Sequence, residues 1–402
     1  MQTAEVPARY RAAEARNARL GRPLRWVARV RSVDEDLMTR LGRGFLEVDE
    51  LGAQLASAMR LPVDHPERVT MADFRTAVSE GLESVTDAPP ALAKFFETVE
   101  TVPSWVDWTK VERGAEIGRW LGQNAADILL QLSLIGGYRY GGPTDLLVAT
   151  GGLVGDATTR RLGETQKWTI AVSRPNAMRR DGEGYALTLH VRLMHALVNE
   201  NFTPRWDVGR WGMPINQTDQ AATLGLFSGV LLLGSRALGV PITAEDSSAV
   251  MHLWRYIGWL MGVDEHWLVE TEREQNQLNY HVLLAQDDIS DAGPQLAQAI
   301  VGAQKDLHFD RLAGPRRWWR RERLLSMLTA QLGVRSMREL GLPLRPPWAP
   351  AYVIALNQVR YRILGRTRRG REFLLQLGDR VQQRELRHHF GVDRPEVGRL
   401  NV

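Results

Sequence analysis

Almost nowhere in this 402-residue chain do apolar residues alternate with polar ones, the pattern a half-buried strand requires. They recur instead at three- and four-residue spacing through the middle of the sequence, which gives a helix one apolar face. Residues 114–137 read as one long helix that becomes fully apolar and stops at a glycine pair. A short helix over Thr144–Gly152 follows, then Asp156–Val172 with Asp156 as its N-cap, a loop over Ser173–Gly184, and a helix over Tyr185–Phe202. Arg205–Thr218 is irregular. Asp219 opens a helix to about Leu238, Thr243 and Asp246 form a capping box for the next, and Glu270–Ile289 is again helical. There is no Gly-rich dinucleotide loop, phosphate-binding loop or nucleophile elbow, and no internal repeat. The fold class is therefore all-α.

Composition narrows the chemistry. Apolar residues make up 44% and charged residues 24%, a globular balance. The chain has no cysteine, which excludes disulfides, thiolate-bound zinc, iron–sulfur clusters, thiolate haem and covalently attached haem. A metal must be held by His, Asp, Glu or an organic cofactor. The first 26 residues lack the apolar core of an export signal, and Ile128–Gly137 and Ala221–Val240 read as buried helices rather than membrane spans. A cytoplasmic location is the expectation. Charge is unevenly spread: residues 311–402 hold 20 Arg against seven acids, +13, while the rest of the chain carries −9. Docking on the acidic body is expected for this basic region, with peripheral membrane contact as its other use. Trp318 and Trp319, set among Arg316, Arg317, Arg320 and Arg321, are expected to pack on the body; no nucleic-acid partner is expected. His388 and His389 sit in a polar, Arg-rich stretch unsuited to a metal.

Three segments hold candidate chemistry. In Tyr185–Phe202, Leu187, Val191, Met194, His195 and Val198 share one face, with Arg192 and Asn199 pointing elsewhere. His195 thus lies on an apolar stripe, either as a core histidine or as an axial ligand to haem iron. In the preceding helix Arg161, Glu164, Thr165 and Trp168 fall on one face, either as a solvated stripe or as a polar patch able to activate a ligand. Further on, Asn216 and Asp219 suit a helix entry, and His252 and Arg255 lie one turn apart, placed to pair with acids or a haem propionate. Trp254, Trp259 and Trp267 suit core positions.

Taken in order, R161-L-G-E-T165, V191-R-L-M-H-A-L-V198, W211-G-M-P-I-N-Q-T-D219 and H252-L-W-R-Y-I-G-W-L-M-G-V-D264 resemble the latex-clearing rubber oxygenase family, whose oxygenase domain also occurs in fungal secondary metabolism. The resemblance covers residues 161–268. It implies a globin-like helical core with additional helices at both ends: an N-terminal extension over 1–109, a haem-binding core over 110–300, and a basic extension over 301–402 packed on the core. It also implies non-covalent haem b, with His195 as proximal ligand and Arg161 and Thr165 on the distal helix. In the rubber oxygenases a Lys directly precedes that Thr and can cap the iron. This chain has Glu164 there, and Lys167 lies about 200° further round the helix. Asp145 and Glu164 are the candidates for the acidic base that those enzymes carry.

The expected activity is thus a haem b-dependent oxygenase using dioxygen on a hydrophobic unsaturated substrate, polyisoprene-like or smaller. The alternatives are a haem peroxidase or dehydrogenase using the same pocket, and a non-catalytic haem or lipid carrier. The expected site comprises His195 as metal ligand, Arg161, Thr165 and His252 around the cofactor, and Arg161, Glu164, Thr165 and Asp145 for catalysis.

Overall fold

The structure, a computed structural model, describes residues 5–151 and 156–390, without the side chains of residues 156–160, 389 and 390. It is all-α: helices, π-helical turns and short 3-10 turns account for every element, and the described residues contain no strand. The helix Asp156–Val172 has the bounds the sequence implies; the capping role read for Asp156 lies outside the described residues. The His195 helix spans Glu183–Phe202, two residues longer at its start than expected.

Two long helices expected from the sequence are each broken. The first begins at Trp108, where the Asp107 side chain accepts the Thr109 N–H at 2.9 Å. It stops at Gly122, whose φ of +52° is left-handed and whose bare Cα faces Gly378, 3.2 Å from where a Cβ would stand. The chain resumes as Gln123–Ile128 and passes into a π-helical turn, Leu129–Ile135. The second begins at Gln217, two residues earlier than expected, because Asn216 accepts the Asp219 N–H at 2.9 Å. It breaks at Ser228, where φ −106° and ψ −84° are not helical, and resumes as Gly229–Ala237. The capping box at Thr243 is only half formed. The Thr243 hydroxyl accepts the Asp246 N–H at 3.0 Å, but the Asp246 carboxylate faces Arg113 at 2.6 Å.

One apolar core runs from Met38 to Leu374. The segment before residue 110 feeds it with Phe74, Phe95 and Phe96, whose rings meet at 5.4–6.2 Å. A second cluster joins Ile135 and Tyr138 to Leu296, Ile300, Leu324, Leu325 and Leu328. The basic C-terminal region is therefore packed on the body through its own apolar residues. Of its inner arginines, Arg320 pairs with Glu385 of the same region, and Arg323 with Asp127 of the body. Burial pushes the Glu385 carboxyl up, but His388 and Arg320 beside it win and hold it far below the ordinary carboxylate range. Trp318 and Trp319, expected to pack on the body, are 64% and 45% exposed.

Candidate functional site

The His195 helix is held by polar contacts along its buried side. The Thr188 hydroxyl accepts the Trp168 indole N–H at 3.0 Å, which ties it to the Arg161 helix. Arg192, read from the sequence as pointing elsewhere, is buried. It donates twice to Asp49, Nε to Oδ2 at 2.6 Å and Nη2 to Oδ1 at 2.7 Å. One turn beyond His195, Asn199 clasps the backbone of Ile215, accepting its N–H and donating to its carbonyl, both at 2.7 Å. That clasp fixes the irregular stretch before the helix Gln217–Phe227.

The same stretch is fastened at three more points. Gly212, at φ +74°, lets the chain pass so close to Phe45 that a Cβ would stand 2.3 Å from the Phe45 carbonyl oxygen. Gln217 donates to the Gly262 carbonyl at 2.9 Å and accepts the Asp264 N–H at 3.0 Å. Asp219 forms a buried ion pair with Arg9, which reaches in from the start of the chain over the Phe45 ring. Arg192, Gly212, Asn216, Gln217 and Asp219, all residues of the motifs, are therefore fasteners.

His195 is different. Its stripe, with Leu187, Val191, Met194 and Val198, is not the buried core the spacing suggests: all five side chains are half-buried, while Thr188, Leu189, Arg192, Leu193 and Ala196 are fully buried. His195 nevertheless lies deep. Burial pulls its imidazole down to about 4, and the Arg161 guanidinium pushes the same way; Asp49 and the buried Gln220 oppose it. We infer from this that His195 borders an internal space, a hollow, that its neighbours do not fill. Its Nδ1 is buried with no hydrogen-bond partner. The contrast with its neighbours is sharp: His190 and His281 both turn Nδ1 to the carbonyl four residues back on their own helices, at 2.8 Å. The neutral imidazole, with an unpartnered ring nitrogen in an apolar hollow, fits the requirements of a haem ligand.

Arg161 shares this region. Its charge acts on His195 and also on Tyr138, whose buried hydroxyl has no partner and is pushed up by burial. Glu164 is half-buried and Thr165 exposed, while Trp168, one turn on, is buried against Phe227 and Trp254 at 5.5 and 5.8 Å. The structure thus couples His195 electrostatically to Arg161 and separates off two other sequence candidates. Asp145 caps the helix Pro143–Ala149, accepting the Gly142 N–H at 2.9 Å. His252 accepts the Asp107 N–H on Nε2 at 2.8 Å and packs edge-on to Trp105. Arg255, one turn along the same helix, pairs with Glu270. The bond that the structure shows for His252 is thus a fastening one, to the backbone at the start of the helix that Asp107 caps. Gln220 and Asp49 went unread in the sequence; Gln220 follows Asp219 in the third motif, and that adjacency was the available signal.

Residues 114–369 match the model of the family described as ER-bound oxygenase mpaB/B'/Rubber oxygenase, catalytic domain. A rubber oxygenase from Streptomyces sp. (strain K30) is 22% identical over 228 residues, 54% of this chain and 54% of that protein. The chain thus spans about half the length of the curated relative it matches. Among solved structures, latex clearing protein in its closed state superposes with a TM-score of 0.65 at 18% identity, over 88% of this chain and 92% of that one. That likeness establishes the shared fold.

Proposed function

The chain belongs to the family of ER-bound oxygenases and rubber oxygenases, and we propose from this that it is a haem b-dependent oxygenase acting on a hydrophobic unsaturated substrate, polyisoprene-like or smaller. The observation that carries the reading is the neutral, deeply placed His195, whose Nδ1 lacks a partner beside the charge of Arg161. His195 would hold the iron, and bound haem would supply the chemistry with dioxygen.

The chain's own residues divide the remaining tasks. Burial keeps the His195 imidazole neutral and so able to ligate at neutral pH. Gln220 beside the ring orients it, as outer partners of metal-bound histidines do. Leu187, Val191, Met194 and Val198 form an apolar wall that receives an alkene and excludes water. Arg161 places a positive charge where negative charge develops on oxygen, and Thr165 offers a hydroxyl donor one turn along. Glu164 accepts a proton from the substrate, for which an allylic hydrogen is the suitable source. Asp145 is left out of this scheme, since its carboxylate caps a helix.

The test is an absorption spectrum of the purified chain, oxidised and reduced, with a pyridine haemochrome assay. About one haem b per chain, lost in His195→Ala, is the expected result. Glu164→Gln should keep the haem and lose turnover with dioxygen, which separates an enzyme from a carrier. A colourless protein after haem is supplied during expression overturns the proposal.

A further inference from the structure

The outer surface of the C-terminal region is apolar where a soluble surface is ordinarily polar. In the helix Trp348–Asn357 and the π-helical turn Gln358–Ile363 that continues it, Ala349, Val353, Asn357 and Tyr361 face inward. The opposite face carries Trp348, Tyr352, Leu356, Val359 and Ile363, all exposed, Ile363 to 63%. These recur at three- and four-residue spacing and so form one continuous stripe. Trp348 stacks on Tyr352 with centroids 5.9 Å apart, and Tyr352 lies 6.5 Å from the exposed ring of Trp319. The stripe therefore runs on to the tryptophan pair of the preceding helix. An exposed apolar surface of this extent marks a binding face.

Charge decides what binds. Between Glu339 and Glu372 the sequence has seven arginines and no acid. Arg362, Arg366 and Arg369 flank the stripe, are exposed, and form no ion pair among the described residues. A second copy of the chain seated here by two-fold symmetry would set arginines against arginines. An anionic lipid surface offers the opposite sign together with an apolar layer for the rings. Tryptophan and tyrosine rimmed by arginine is also the composition that settles at a headgroup boundary, the rings in the acyl margin and the guanidinium groups in water. No helix among the described residues is long and apolar enough to cross a membrane. We propose that this face docks in the plane of an anionic bilayer, with the stripe Trp348–Ile363 inserted and the arginines on the headgroups.

The experiment is flotation of the full chain with vesicles of phosphatidylcholine alone and with phosphatidylserine added. Binding is expected only to the mixed vesicles and is expected to weaken with added salt. Two variants carry exposed substitutions that leave the core untouched. Val359→Glu with Ile363→Glu should weaken binding by tenfold or more on the order of one lost anchor. Reversing Arg362, Arg366 and Arg369 to Glu should weaken it by about a hundredfold or more. Failure to float with the mixed vesicles overturns the proposal, as does binding unchanged in both variants. A dimer seen by light scattering that Val359→Glu with Ile363→Glu dissolves would assign the face to a second copy and also overturn it.

Discussion

Along the helix Glu183–Phe202 one side is fastened and the adjoining side is not. Thr188, Arg192 and Asn199 each hold a named partner at hydrogen-bond distance. Leu187, Val191, Met194, His195 and Val198 are half-buried, and the one polar group among them has an unpartnered ring nitrogen. The difference separates two kinds of residue that a sequence motif mixes. V191-R-L-M-H-A-L-V198 contains both Arg192, which secures the helix, and His195, which is positioned by that security and contributes little to it. The two sides should therefore respond to substitution in opposite ways: loss of stability with the hollow's chemistry intact in one case, loss of chemistry with stability intact in the other.

The largest effect belongs to the fastened side. Removing Asp49 as Asp49→Ala leaves the Arg192 charge buried without its partner, a change that costs about 3–5 kcal/mol. Chemical denaturation of the haem-free chain would measure it, and a loss below about 1 kcal/mol would show that the pair is not what holds the helix. Asn199→Ala comes next. It frees both the N–H and the carbonyl of Ile215, and two such groups left unpaired cost about 1–3 kcal/mol in a half-buried setting. Its signature is amide exchange. Protection should fall over 213–217 first, because Asn199 pins that stretch and the helix beginning at Gln217 is held separately by Asn216.

This division explains what the sequence did and did not disclose. Helix identity was legible because the 3.6-residue period survives in most segments, the π-helical turns apart, and the Arg161 helix was bounded correctly at both ends. The breaks at Gly122 and Ser228 were not, since each depends on a distant segment: Gly122 yields to Gly378, and the Ser228 break lets the Asn279 amide reach the Gly225 carbonyl at 3.4 Å. Within the site, spacing grouped His195 with Leu187 and Val191 correctly. It misjudged which side was the core, because an apolar stripe reads alike whether it meets packed side chains or a hollow. Arg192, Asp49 and Arg9 were missed for a related reason. A buried ion pair joins residues 143 or 210 positions apart, and local periodicity carries no signal for it.

His252 sharpens the comparison at a smaller scale. It resembles His195 in sequence context, an imidazole on a largely apolar helix, yet its Nε2 accepts the Asp107 N–H. His252→Ala should cost under about 1 kcal/mol, the value of one partly exposed hydrogen bond. Burial, then the nearby Lys110 charge, hold its imidazole below the ordinary value. As pH falls through about 6.5 the unfolded chain takes up the proton before the folded chain does, so the contribution is present above that pH and is lost below it. The stability difference between the native chain and His252→Ala should therefore shrink from pH 7 to pH 5. A difference that grows over that interval would mean that the histidine is charged in the fold, and the hydrogen bond would then be misassigned.

The smallest expected change in stability is at His195 itself, and that near-absence is the informative result. A core histidine with satisfied nitrogens would leave orphaned partners behind when replaced. His195 leaves none at Nδ1 and only Gln220 elsewhere on the ring, and a leucine of similar volume replaces an uncompensated buried polar atom with an apolar side chain, a gain that offsets the lost Gln220 contact. Haem-free His195→Leu should unfold within about 0.5 kcal/mol of the native chain or be slightly more stable. Haem retention, measured on the same preparations, should fall from about one per chain to near none. A haem-free variant destabilised by more than about 1.5 kcal/mol would place His195 among the fasteners with Arg192 and Asn199. The division between the two sides of the helix, and with it the assignment of the ligand, would then fail together.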